Sequence, residues 1–153
     1  MEELIKFWYD NEKIWFNCSL EEDIKIKNKY ENYLIKYKDY QTDDLFDNLG
    51  LILLYDQIIR HIFRNKEIPD EYNKIGFNIT KKLIETNNIF QLEPKYFIFA
   101  LMPYRHTFEK KYILEVLESI EKHFIKYPND KYLQRFQRST NISLSKLTFI
   151  YTK

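Results

Sequence analysis

Glycine is nearly missing, with 2 in 153 residues. Tight hairpins depend on residues free to take positive φ, so a sheet protein with many turns is disfavoured and long helices with few links are expected. Proline is scarce too, at 4. The one cysteine, Cys18, has no partner for an internal disulfide, which fits a reducing, cytoplasmic setting. Long apolar runs are lacking: LGLILLY and YFIFALM fall far short of the roughly 20 residues that span a bilayer, so no membrane association is expected. The opening MEELIKFWYD is acidic and amphipathic, unlike a signal peptide. Neither sign of charge prevails, since Lys and Arg number 24 against 23 Asp and Glu, a formal net charge of +1. That disfavours broad nucleic-acid binding, which draws on a basic excess.

What the chain has is apolar and aromatic mass. Hydrophobic residues make up 44% and aromatic ones 18%, including 13 Tyr and 12 Phe. One domain over residues 1–153 can bury a real core, filled largely by rings whose hydroxyls need partners or water.

Helix signals follow one another with short links. Ser19-Leu20-Glu21-Glu22 reads as a capping box, opening a helix to about Tyr40 with Ile26, Tyr30, Tyr33, Leu34 and Tyr37 on its apolar side. Thr42-Asp43-Asp44 caps the next, to about Arg64. Pro69 suits the first turn of a helix from Asp70 to about Thr86, with Asn87-Asn88 as the break. Pro94 starts another that ends before Pro103. Thr107 caps a helix from Phe108 to about Lys126, and Pro128 begins a shorter one. The tail from Ser139 has no firm assignment. The fold class is all-α, six or seven antiparallel helices.

Within the third helix, YDQIIRHIFRN sets strong polar groups in an apolar run. Leu51, Leu54, Ile58 and Ile62 recur at helical spacing, as do Ile52, Tyr55, Ile59 and Phe63, which implies deep burial. Asp56, Gln57, Arg60 and Arg64 form the remaining stripe, with Asp56 and Arg60 placed to pair at i,i+4. Two guanidinium forks one turn apart suit a carboxylate or phosphate; an ordinary salt-bridged stripe tying helices together would look the same.

The junction LMPYRHTFEK is a second candidate. Arg105 and His106 sit near a helix N-terminus, where exposed amides attract anions. His106 is suited to general acid–base work and Glu109 to orienting it; a polar loop with His106 bonded to a carbonyl is the plainer alternative. Arginine is clustered at Arg60 and Arg64, at Arg105, and at Arg135 and Arg138, while lysine supplies generic charge.

These stretches together resemble the family of domain of unknown function 924. Phe7-Trp8-Tyr9 matches its FWF element, Trp15-Phe16 its W-F pair, Tyr55 to Asn65 its L-D-Q-F-P-R-N-hydrophobic-F/Y-R-G, and Met102 to Thr107 its M-P-x-x-H-S-E. Ile59 replaces the family proline, His61 the asparagine and Asn65 the glycine. The C-terminal R-F-P-H-R-N is lacking, although Arg138-Ser139-Thr140 fits the R-x-S-T that follows. The resemblance implies a tetratricopeptide-like helical bundle. It supplies no reaction, but implies that Asp56, Gln57, Arg60, Arg64 and His106 form one constellation.

Other chemistry finds little support. Gly-rich phosphate loops, H-E-x-x-H and paired cysteines are missing. His61, His106 and His123 lack metal-ligand spacing, and Cys18 has no nearby histidine or basic helix end, so it reads as a structural or incidental thiol rather than a nucleophile. No metal or cofactor is expected. Two functions stay open, with catalysis undecided. One is a small-molecule site, in which Gln57, Arg60, Arg64, Arg105 and Glu109 hold a phosphorylated or carboxylate ligand while His106 and Asp56 do chemistry. The other is a module for a protein partner or a second copy, with the polar stripe purely structural.

Overall fold

The computed structural model describes residues 1–152, with side chains up to position 147, and among these every regular element is helical. The all-α expectation holds. No helix among the described residues is long and apolar enough to cross a membrane. The chain forms two compact units, Met1–Lys81 and a second beginning at Lys82.

The first unit opens with α1 (Glu2–Asp10), a 3-10 turn (Glu12–Trp15) and α2 (Leu20–Lys36). Ser19 caps α2 as expected, its Oγ accepting from the Glu22 amide at 3.2 Å. The helix stops at Lys36 rather than near Tyr40. The chain turns there, and the Tyr40 hydroxyl donates to Asp47 on the next helix at 3.3 Å. Asp44 then caps α3 (Leu45–Ile52), accepting from the Asp47 amide at 2.8 Å. Helix α3 passes without a break into a π-helical stretch, Leu53–Ile58, and then α4 (Ile59–Ile62).

That π stretch, with its i→i+5 bonding, is what spacing did not forecast. Such segments concentrate at functional sites. Here it turns Asp56 into the interior while Gln57 stays half-buried. The helix ends at Phe63, and Asn65 follows with a φ of 62°. Asn65 stands where the resembling family has glycine, and asparagine is among the side chains that tolerate this left-handed region.

The core of this unit joins Leu4 and Trp8 of α1, Ile26, Tyr30 and Leu34 of α2, and Leu49 to Tyr55 of the central helix. The Tyr55 hydroxyl donates to the Leu34 carbonyl at 2.7 Å. A Cβ at Gly50 would lie 2.8 Å from the Met1 Cβ, so glycine permits the close approach of α1 and α3.

Helix α5 (Asp70–Glu85) carries the boundary between the units. Asn87, in left-handed conformation, makes the predicted break. The second unit continues with a 3-10 turn (Asn88–Gln91), α6 (Pro94–Ala100), α7 (Met102–Arg105), α8 (Lys110–Phe124) and α9 (Lys131–Thr152). Two boundaries differ from expectation. Helix α8 starts at Lys110 with Glu109 as its N-cap, because Phe108 takes a φ of 54° and cannot join it. Pro128 lies in a turn, and Asp130 opens α9 by accepting from the Leu133 amide at 3.0 Å. The unassigned tail belongs to α9 as far as it is described. Its hydroxyls bond back to their own helix, Thr140 Oγ1 to the Phe136 carbonyl at 2.6 Å and Ser143 Oγ to Ser139 at 3.2 Å. That bonding competes with helical propensity and hid the helix from sequence reading.

Candidate functional site

The site in the first unit starts from a register. On α2, Asp23 falls on the same stripe as Ile26, Tyr30 and Leu34, so its carboxylate points inward and is only 6% exposed. On α4, His61 shares the inward side with Ile58 and Ile62 and is 7% exposed. The two meet: His61 Nδ1 is 2.8 Å from Asp23 Oδ1. A carboxylate only accepts, so Nδ1–H donates.

Arg64 completes the pairing. Its Nε donates to Asp23 Oδ2 at 3.0 Å and its Nη2 to Oδ1 at 3.1 Å, a fork on one carboxylate. Cys18, just before the α2 cap, lies beside this pair, its donor atom within 4.8 Å of those of Asp23 and His61. Burial pushes the Asp23 carboxyl up, but Arg64, His61 and Cys18 beside it outweigh burial and hold it below the usual carboxylate range. Burial pushes the Cys18 thiol up to about 12, with Asp23 and Glu22 adding to it. Cys18 is therefore a thiol at neutral pH and no activated nucleophile.

Beside this cluster lies a cleft of about 250 Å³. Asn17 and Cys18 enter it from the loop, and Gln57, Arg60, His61 and Arg64 from the central helix. Ile14, Trp15 and Phe16 make its apolar side. Trp15 is fixed there, its Nε1–H donating to the Trp8 carbonyl at 3.0 Å and its ring stacked on Trp8 with centroids 6.0 Å apart.

The structure thus brings three expected residues, Gln57, Arg60 and Arg64, to one wall. Asp56 sits buried behind them, accepting from Gln57 Nε2 at 2.7 Å. Its i,i+4 pairing with Arg60 is present as an ion pair at 3.6 Å, too long for a hydrogen bond. Among the described residues the Arg60 guanidinium makes no hydrogen bond, and its Nε is buried without a partner.

Arg105, His106 and Glu109 belong to the second unit. Arg105 stacks on Phe136, 5.4 Å from guanidinium carbon to ring centroid. It donates to Ser139 Oγ at 2.9 Å, Thr140 Oγ1 at 3.4 Å and Ser143 Oγ at 3.0 Å. Burial holds it below the usual guanidinium value, with no carboxylate beside it among the described residues. His106 is the C-cap of α7, and Glu109 the exposed N-cap of α8.

Two residues were missed by sequence reasoning, and one expectation is overturned. Cys18 does have a histidine beside it, His61, with Asp23 between them in the network. The signal was available: an aspartate at an apolar register position of α2 has to find buried partners. Linear spacing could not name them, because Asp23 and His61 lie on different helices, 38 residues apart.

The family model described as bacterial protein of unknown function, DUF924, matches residues 4–146. The resemblance carried by the motifs therefore holds across the chain. No curated protein and no solved structure matches it.

Proposed function

As the chain belongs to the DUF924 family, to which no reaction is assigned, we propose from the cleft itself that the protein binds a small anionic molecule, a phosphate ester or a carboxylate. The observation that carries this is Arg60. Its guanidinium lines a polar cleft, yet makes no hydrogen bond, and its nearest carboxylate stands back at 3.6 Å. The Arg60 side chain is 36% exposed, so although Nε is buried, the outer part of the fork can give a ligand oxyanion a charge-assisted bond.

Gln57 and Arg64 flank Arg60 on the same wall, and Trp15 offers a flat apolar side to a ligand's body. Arg105, His106 and Glu109 have no step in this reading. A single free cysteine supports a reducing, cytoplasmic setting for it.

The test is a thermal-shift series with inorganic phosphate, adenosine monophosphate, sugar phosphates and citrate, on the wild type, Arg60→Ala and Arg60→Lys. The wild type should be stabilised by at least one of these, and folded Arg60→Ala should not respond. Equal responses in wild type and Arg60→Ala, or no response from any protein, would sink the reading.

A second reading rests on a separate observation. Phe16, ahead of α2, and Leu20 and Ile24 on α2 are all exposed, Phe16 at 85%. Exposed apolar side chains of this kind suit a second copy of the chain. Sedimentation over a concentration series would show self-association, abolished in Phe16→Ser/Leu20→Ser; a monomer at every concentration rejects it.

A further inference from the structure

Cys18, Asp23 and His61 bring a thiol, a carboxylate and an imidazole to one point, and the anion reading leaves this grouping unused. One donor atom from each lies within 4.8 Å of the others. Asp23 and His61 are buried and Cys18 half-buried. Cys18 and His61 also form part of the cleft wall. Sulfur, nitrogen and oxygen donors in this mixture suit a borderline divalent ion of the zinc type. Three protein ligands, rather than four, are the pattern of sites that keep one position for water or a substrate atom. We propose that Cys18, Asp23 and His61 form a binding site for zinc or a similar divalent transition-metal ion, with its remaining coordination position open to the cleft.

Arg64 is the resident cation of this place and the competitor of the metal. Both arms of its fork rest on Asp23, and its Nη2 lies 3.2 Å from His61 Nδ1. An entering ion takes over the charge balance of Asp23, and the guanidinium swings out. Arg64 is free to do so: its side chain is 45% exposed and it lies beyond the end of α4. When the metal binds, the thiol proton passes to solvent, the imidazole binds through whichever nitrogen is then unprotonated while its one proton sits on the other, and no electron is transferred.

The burial pattern fits this role. A carboxylate kept on the core stripe of α2 is expensive unless matched by positive charge. A divalent ion would match it more fully than a half-exposed guanidinium. Arg60 is not among the ligands, so metal binding and anion binding can fail independently.

The test is a titration of the metal-free full chain with Co²⁺. The wild type should bind one equivalent, displaced by Zn²⁺, with a thiolate-to-cobalt charge-transfer band in the near ultraviolet. Cys18→Ser should lose that band. Arg64→Gln should bind about tenfold tighter, the scale on which groups bordering a metal site shift its affinity. Arg60→Ala should bind as the wild type does. Zn²⁺ should also slow alkylation of Cys18 by iodoacetamide in the wild type, a readout that needs no variant. No charge-transfer band in the wild type, a band that persists in Cys18→Ser, or binding in Arg64→Gln alone would each overturn the proposal.

Discussion

His61 Nδ1 donates to Asp23 Oδ1 across 2.8 Å, and the two residues are 38 positions apart. This one bond links the first turn of α2 to α4, and Arg64 doubles it from the helix end. Removing one partner from such a network costs more than the network contributes, because the others are left buried and unmatched. Asp23→Asn should therefore destabilise the protein by about 1–3 kcal/mol, with the half-exposure of Arg64 keeping the loss at the low end. Arg64→Gln should cost less, about 1 kcal/mol or under, because that side chain is already partly hydrated. Urea unfolding of both variants checks the order; a larger loss for Arg64→Gln would contradict it.

Tyr30 makes the opposite case. Its ring is fully buried in the first unit, its hydroxyl has no hydrogen-bond partner among the described residues, and burial pushes its pKa well up. Tyr30→Phe removes only the orphaned hydroxyl. It should leave stability unchanged or raise it by up to about 1 kcal/mol, measured by the same unfolding curves. A clear loss would mean that the hydroxyl has a partner after all.

Arg105 offers a test of an unusual cation in the second unit. Among the described residues it is bonded to hydroxyls alone, and Thr140 and Ser143 also hold carbonyls of their own helix. Arg105→Met keeps a long side chain against Phe136 and orphans no acceptor of opposite charge. Its stability should stay within about 1 kcal/mol of the wild type. A drop of about 3 kcal/mol or more would be the mark of a broken buried ion pair.

His123 sets a pH dependence. It is buried, its Nε2–H donates to the Leu92 carbonyl at 2.8 Å, and its ring stacks on Phe97 with centroids 4.2 Å apart. Burial, joined by the nearby charge of Lys126, lowers its pKa below the ordinary 6.5, although the Leu92 bond and Asp130 oppose this. The unfolded chain thus takes up the proton first. His123 contributes nothing adverse above pH 6.5, and stability falls as pH drops from there towards the lowered folded value. Chemical denaturation at steps from pH 7.5 to 5 should show this decline, and a shallower one in His123→Phe. Parallel curves would assign the slope to other groups.

The composition and cap signals alone determined that this chain is helical, and where most helices begin. Ser19, Asp44 and Pro69 act within a turn of their own position, so short-range chemistry suffices to read them. The same holds for the polar stripe: Gln57, Arg60 and Arg64 were legible as a group because one helix spaces them. What only the tertiary structure decided was everything that depends on two segments meeting. The π-helical stretch, which runs through the buried central helix, is one such feature. The meeting of Cys18, Asp23 and His61 belongs to the same class. Sequence could say that a carboxylate on the core face of α2 requires a partner, because an isolated buried charge is too costly to leave unmatched. Which side chain answers it was fixed by the approach of α4, and linear spacing carries no record of that.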